Sequence, residues 1–263
     1  MLAAFQGWND AGDAATTAID LLLDQWGALK FAEIDPEEFF DFTATRPTVR
    51  LGPNHDRLIQ WPTSTLSWAR PPGAPDIVIL RGSEPQLKWR TFCEQVIEVS
   101  SLLHARLVLT VGSLLADVAH SRPTPVYGTA YDEQVIRALH LEPSRYEGPT
   151  GIIGVLHAAL HAAGLNSASL WAAVPSYVPS APSPKAALAL LERLSGILQV
   201  EVDTQELTDA VPEYERQIGA LVSEDEETTA YVAHLESIHD QTELAGDAAP
   251  GLVAELERYL REH

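Results

Sequence analysis

Four short, nearly unbroken apolar runs constrain this chain most: Leu2 to Gln6, Asp76-Ile77-Val78-Ile79-Leu80, Arg106 to Val111 and Ser169-Leu170-Trp171-Ala172-Ala173-Val174. A strand with one face in water alternates apolar and polar side chains. An unbroken run is what a strand needs when helices cover both faces of its sheet. Helical patterns separate the runs. Asp13 opens one in which Ala14, Ala15, Ala18, Leu21, Leu22 and Trp26 recur at helical spacing. Others run from about Leu87 to His104, from Gly151 to Ala163 and from Lys185 to Leu198. The expected fold is α/β: a three-layer αβα domain with a mostly parallel sheet. Leu29 to Ile34 reads as the next strand after Leu2 to Gln6. Strand, helix and strand within about 35 residues have the size of one crossover unit with parallel strands.

The texture changes between Phe39 and Trp68. Val49-Arg50-Leu51 and Arg57 to Trp61 flank Gly52-Pro53-Asn54 and read as a hairpin inserted at about 39–68. Pro71 to Pro75 and Pro179 to Pro184 read as linkers, and Val126 to Ala130 as a weaker strand. The expected organisation is an α/β core over 1–180 and an acidic helical extension over 181–263. Its helices are expected at Lys185 to Leu198, Pro212 to Leu221, Glu226 to Leu244 and Leu252 to Arg261.

Charge and composition exclude several classes. The 263 residues carry a net charge of −20, and residues 201–263 hold 17 Asp and Glu against 3 Arg. Nucleic acid is not an expected partner, because neutralising phosphates requires a basic face. An anionic membrane surface is disfavoured for the same reason. No apolar run reaches the roughly 18 residues of a transmembrane helix, and Met1 to Phe5 lacks the basic start of a signal peptide. The single cysteine, Cys93, lies in a helical pattern and reads as a buried structural thiol in a reducing cytoplasm.

In a parallel sheet, ligands sit at the carboxyl ends of the strands, and four loops fall there. Gly7-Trp8-Asn9-Asp10-Ala11-Gly12 has phosphate-loop glycine spacing but no Lys-Ser or Lys-Thr after it. Asn9, Asp10 and Asp13 suit a helix cap, which leaves Trp8 unexplained. Arg81-Gly82-Ser83-Glu84-Pro85 offers Glu84 as acid, base, hydroxyl acceptor or cap, with Trp89 beside it. Gly112 to Pro123 carries Asp117, His120, Ser121 and Arg122; the last suits a clamp on a carboxylate of a ligand or of Glu147, with an ordinary intramolecular ion pair the favoured reading. Tyr146-Glu147-Gly148-Pro149-Thr150-Gly151 precedes a helix that Thr150 would cap. The candidate cleft-lining residues are therefore Trp8, Asn9, Asp10, Glu84, His120, Arg122, Tyr146, Glu147 and Thr150.

None of these is assigned as catalytic. Gly-x-Ser-x-Gly does not occur. His157 and His161 have the spacing of two metal ligands but lack a third, so no metal and no cofactor is expected.

Five strings in order carry a resemblance: Phe5 to Gly12, Gly82-x-Glu84-Pro85-x3-Trp89, Ala116 to Pro123, Tyr146 to Ile152 and Ser169 to Pro175. Together they resemble the actinobacterial branch of the proteasome assembly chaperone two family, from residue 2 to about 260. That resemblance implies a fold similar to nucleoside phosphorylases and hydrolases, with a mixed five-stranded core and a helical C-terminal part. It also implies a homo-oligomer such as a trimer, no established enzymatic activity and no assigned functional residues. The branch usually shows Pro-His-Thr-Arg-Pro at Ala119 to Pro123 and Pro-His-Tyr at Pro175-Ser176-Tyr177. A histidine is thus absent at position 176, while His120 is kept. Relatives that dock on proteasome rings end in a hydrophobic residue, a tyrosine and one more. This chain ends Arg261-Glu262-His263, with Tyr259 further back, so tail insertion is not expected. The resemblance implies a self-associating scaffold or assembly factor working through protein contacts. The alternative is a small-molecule protein or hydrolase, nucleoside-like by fold analogy, that uses the cleft.

Overall fold

A computed structural model of the chain describes residues 1–144 and 146–244. The expected helix at Leu252 to Arg261 and the tail ending lie outside the described residues.

Among the described residues nine strands form: β1 (Leu2–Gln6), β2 (Leu29–Ile34), β3 (Thr48–Leu51), β4 (Arg57–Gln60), β5 (Ser64–Ala69), β6 (Ile77–Ser83), β7 (Val108–Ala116), β8 (Val126–Ala130) and β9 (Ser167–Pro175). Seven make one sheet in the order β2-β5-β6-β1-β7-β9-β8. The four central strands are mutually parallel, and β5, β2 and β8 join antiparallel at the flanks. Seven α-helices accompany them among the described residues: α1 (Ala14–Gln25), α2 (Trp89–Leu102), α3 (Glu133–Leu139), α4 (Ile152–Ala162), α5 (Pro184–Leu198), α6 (Gln205–Ser223) and α7 (Glu226–Leu244).

Successive strand side chains point to opposite faces, and the parallel runs use both. Leu2 and Ala4 of β1 enter the core beneath α1 and α5, with Ala14, Ala18, Leu190 and Leu194. Ala3 and Phe5 enter the opposite core, with Phe92 of α2 and Ile153 and Leu156 of α4. The unbroken apolar runs are thus explained, and the three layers are as the sequence implies. Outside α5, the pair α6–α7 closes a smaller third cluster of Ala119, Tyr214, Ile218, Val222, Val232 and Leu235.

Several local expectations are corrected. β2 runs parallel to β1, as the crossover unit implies, but is not its neighbour: β6 and β5 lie between them, and β2 pairs antiparallel with β5 at the sheet edge. Its Lys30 and Glu33 are exposed, as charges on an edge strand should be. Ser64–Ala69, read as part of the insertion, is β5 of the main sheet, so the inserted pair is only the separate β3–β4 sheet. β7 does not stop at Gly112 but continues to Ala116. α6 starts at Gln205 and carries Pro212 inside it, where that residue had been expected to open the helix. The sheet has seven strands where the resemblance implied five.

Candidate functional site

β1, β6, β7 and β9 all end on one rim, and the loops that leave them are stitched together there. The glycine-rich loop after β1 is held from two sides. Ser113 N of β7 donates to the Asn9 backbone carbonyl at 2.9 Å. Gly112 permits that approach, since a Cβ there would stand 2.7 Å from the Trp171 ring and 3.1 Å from Asn9 O. The Asn9 side chain, buried, donates through Nδ2 to Glu84 Oε1 at 2.7 Å. Among the described residues nothing reaches Asn9 Oδ1.

Glu84 holds the rim together. Its Oε1 also accepts from Ile152 N, the first residue of α4, at 2.8 Å. Thr150 was expected to cap α4, but Gly151 is the cap residue and makes no side-chain bond. A carboxylate from the end of β6 takes that role, where the positive helix end favours it. Gly151 is required: a Cβ there would lie 2.5 Å from Asn9 Nδ2 and 2.7 Å from Glu84 Oε1. Trp89, expected beside Glu84, donates its indole N–H to Pro85 O.

Asp10 caps α1. Its Oδ1 accepts from Ala15 N at 2.7 Å and Thr16 N at 3.2 Å, and its Oδ2 accepts from the Thr16 hydroxyl. Burial pushes its pKa above the ordinary carboxylate value, against the opposing pull of the Thr16 and Ala15 hydrogen bonds. Asp13, also expected as a cap, makes no side-chain cap bond.

His120 and Arg122 stand on the same rim but face α6 and α7. Tyr177 Oη lies 2.8 Å from both the His120 backbone N and Nδ1. Lys185 Nζ donates to His120 O at 2.7 Å and pairs with Glu215 of α6. Burial, with Lys185 close by, lowers the His120 pKa. Arg122 makes an ordinary intramolecular ion pair, the favoured reading, and does not reach Glu147. It grips Asp240 of α7, with Nε at 2.6 Å and Nη2 at 2.8 Å, and Glu236 lies 3.5 Å away. Ser121 donates to Glu236 as well.

The last loop closes on itself, Tyr146 Oη donating to Pro149 O at 2.6 Å, while Glu147 and Thr150 are exposed. The structure therefore brings together Asn9, Asp10 and Glu84. It places His120 and Arg122 under the C-terminal helices and leaves Glu147 and Thr150 outside. Trp8, 41% exposed, borders a recess of about 350 Å³ with Gly7, Gly12, Leu115 and Pro179. A larger apolar cleft of about 660 Å³ opens at the opposite rim, where the parallel strands begin, beside Leu2, Phe31, Trp68 and Ile77. The sequence pointed to no cavity there.

Rim residues that had not been nominated are Ser113, Tyr177, Lys185, Glu236 and Asp240. Their hydrogen-bond partners lie 30 to 118 residues away, distances at which local patterning carries no signal. The His161 ring stacks on Tyr131 at 4.8 Å and the His157 ring lies tilted against it at 4.7 Å, while the His157 ring nitrogens lie 3.3 Å from Ser167 O and Ser169 Oγ. Among the described residues no helix is long and apolar enough to cross a membrane.

These features define a three-layer α/β protein whose strand-end loops are tied to one another and to its C-terminal helices. The model of the PAC2 family matches residues 4–222, and the chain belongs to that family. It is similar to a PAC2 family protein from Streptomyces avermitilis, at 44% identity, with 88% of this chain and 98% of that one covered and a TM-score of 0.83. A proteasome-assembly chaperone homologue from Mycobacterium tuberculosis is also 44% identical over the same shares, with a TM-score of 0.79. Both relatives are actinobacterial. An archaeal proteasome activator from Pyrococcus furiosus shares the fold at 18% identity, with 84% and 92% covered and a TM-score of 0.67. No curated protein matches the chain.

Proposed function

We propose that the protein is an assembly factor of the proteasome-assembly-chaperone type, a self-associating cytoplasmic scaffold that acts through protein contacts. The observation that carries this reading is the internal use of the rim's polar groups. Glu84 is taken by Asn9 and the α4 backbone, Asp10 by α1, and Arg122 by Asp240. Groups so committed serve to fix loop shape and are poorly placed to exchange protons or ligands. Membership of the PAC2 family, and the likeness to a chaperone homologue, support the same reading. The buried Cys93 fits a reducing compartment.

Half-exposed Trp8 beside its recess favours one second reading, a small ring-bearing molecule held there. A thermal-shift screen of nucleosides, sugars and amino acids, run beside light scattering, separates the two. A ligand at about 100 times its Kd adds about 2.7 kcal/mol of stability. The scaffold reading expects no shift and a mass above that of one chain. A saturable shift abolished by Trp8→Ala would transfer the function to the recess.

A further inference from the structure

The inserted hairpin has no place in the core. β3 and β4 pair only with each other as a two-stranded sheet, and such a ribbon is marginal at best in water. Every residue of both strands is exposed. Yet Val49 is 56% exposed, Leu51 70%, Leu58 49% and Ile59 57%. Val49 lies opposite Ile59, and Leu51 lies two residues along from Val49, so these three share one face. Trp61 fixes the base of the ribbon against Phe42, with ring centroids 4.8 Å apart.

Its charge is as unusual as its exposure. In a chain of net charge −20, residues 46–60 hold Arg46, Arg50 and Arg57 against Asp56 alone. All three arginines are exposed, and among the described residues none meets an acid within ion-pair distance. Among the other described arginines most do: Arg70, Arg81, Arg122, Arg137 and Arg216 each have one. An apolar ribbon edged with unpaired cations fits an apolar surface edged with anions.

The chain carries that complement. Residues 201–244 hold 13 Asp and Glu, with Arg216 the one Lys or Arg. At the turn from α6 to α7, Glu224, Glu226 and Glu227 are exposed beside Leu221, itself an exposed apolar side chain. The apolar cleft at the opposite rim is a poorer match. Arg106 lines it, and its Asp76 already pairs with Arg70.

We infer that the β3–β4 hairpin is an arm that docks on the acidic α6–α7 turn of a second copy of this chain. The inference rests on the self-association proposed above and names the surfaces that make it. Arm and receptor belong to different elements, so the contact closes by reciprocal exchange between two copies or as a larger ring.

The test uses light scattering on the full chain, with circular dichroism to confirm folding. The substituted side chains are all exposed, so the fold is expected to survive in each variant. Wild type is expected to exceed the 28.6 kDa of one chain. Arg50→Glu with Arg57→Glu is expected to fall to that mass, as is Glu224→Lys with Glu227→Lys, which leaves the α7 cap Asp225 in place. An equal mixture of the two variants is expected to regain mass, because each reversed arm meets a reversed turn. A wild type found at 28.6 kDa would remove the self-association reading and the arm with it. An oligomer that survives arm reversal would overturn the arm and leave self-association standing. A dissociated arm variant that the reversed turn fails to rescue would overturn the receptor.

Discussion

At the residue scale, the rim turns on Glu84. One carboxylate oxygen serves the buried Asn9 amide and the first free N–H of α4, so removing it strands two donors at once. Each unsatisfied donor costs about 1–3 kcal/mol. Glu84→Ala is expected to lower stability by about 2–4 kcal/mol in urea unfolding. Glu84→Gln keeps an oxygen acceptor and should lose less than half of that. Equal losses for the two variants would mean that packing, and not the shared oxygen, is what Glu84 supplies. Cys93 gives a second check. Burial, with Glu94 close by, pushes its thiol up to about 11. The thiolate is the reactive form, so iodoacetamide at pH 8 is expected to label Cys93 only after unfolding, as mass spectrometry would show.

At the scale of elements, His157 joins α4 to β9 in neutral form. Burial lowers its pKa, and His161 adds to the effect, against the Ser167 carbonyl, which favours the charged ring. A histidine whose folded pKa lies below the unfolded value of about 6.5 stabilises fully above that value. The contribution is lost as pH falls through the lowered pKa. Scanning calorimetry from pH 7.5 down to 5.5 should show a falling Tm, and His157→Gln should flatten part of the fall. A variant with an undiminished slope would place the acid sensitivity elsewhere, His120 being the next buried imidazole with a lowered pKa.

Which elements the sequence revealed follows from the range of the forces that define them. β8 and α7 were legible to the residue, and the central strands within a few residues, because apolar runs and caps are local signals. Strand order was not local. Lys30 and Glu33 mark β2 as an edge strand, yet nothing near them says that β5 separates it from β6. β5 itself, Ser-Thr-Leu-Ser-Trp-Ala, alternates only weakly and follows a proline, so it read as part of the insertion. The rim was half legible. Asp10 as a cap could be read from its place before a helix. Glu84 capping α4 spans 68 residues and Arg122 meeting Asp240 spans 118, so both depend on the finished fold.

At the scale of the whole molecule, the question is how so acidic a chain keeps its C-terminal helices folded back. α7 buries Val232 and Leu235 against α6 and the Ala119 region. Its other anchor is the pair of acids held by Arg122 on the rim. Against these stand the mutual repulsion of the acids along α6 and α7 and the self-repulsion of a net −20. Salt weakens both attraction and repulsion between exposed charges beyond about 10 Å at 0.1 M. The repulsions are many and long-range, while the Arg122 contacts are short and partly shielded from solvent, so screening should relieve more than it removes. The Tm of the wild type is therefore expected to rise with added sodium chloride. Arg122→Ala should act locally: amide exchange is expected to quicken in α7 while the sheet strands keep their protection. Added salt should restore only part of that protection, since the repulsion is screened but the anchor is gone. If α7 exchanged no faster in Arg122→Ala than in the wild type, Val232, Leu235 and the Ser121–Glu236 hydrogen bond would suffice to attach it.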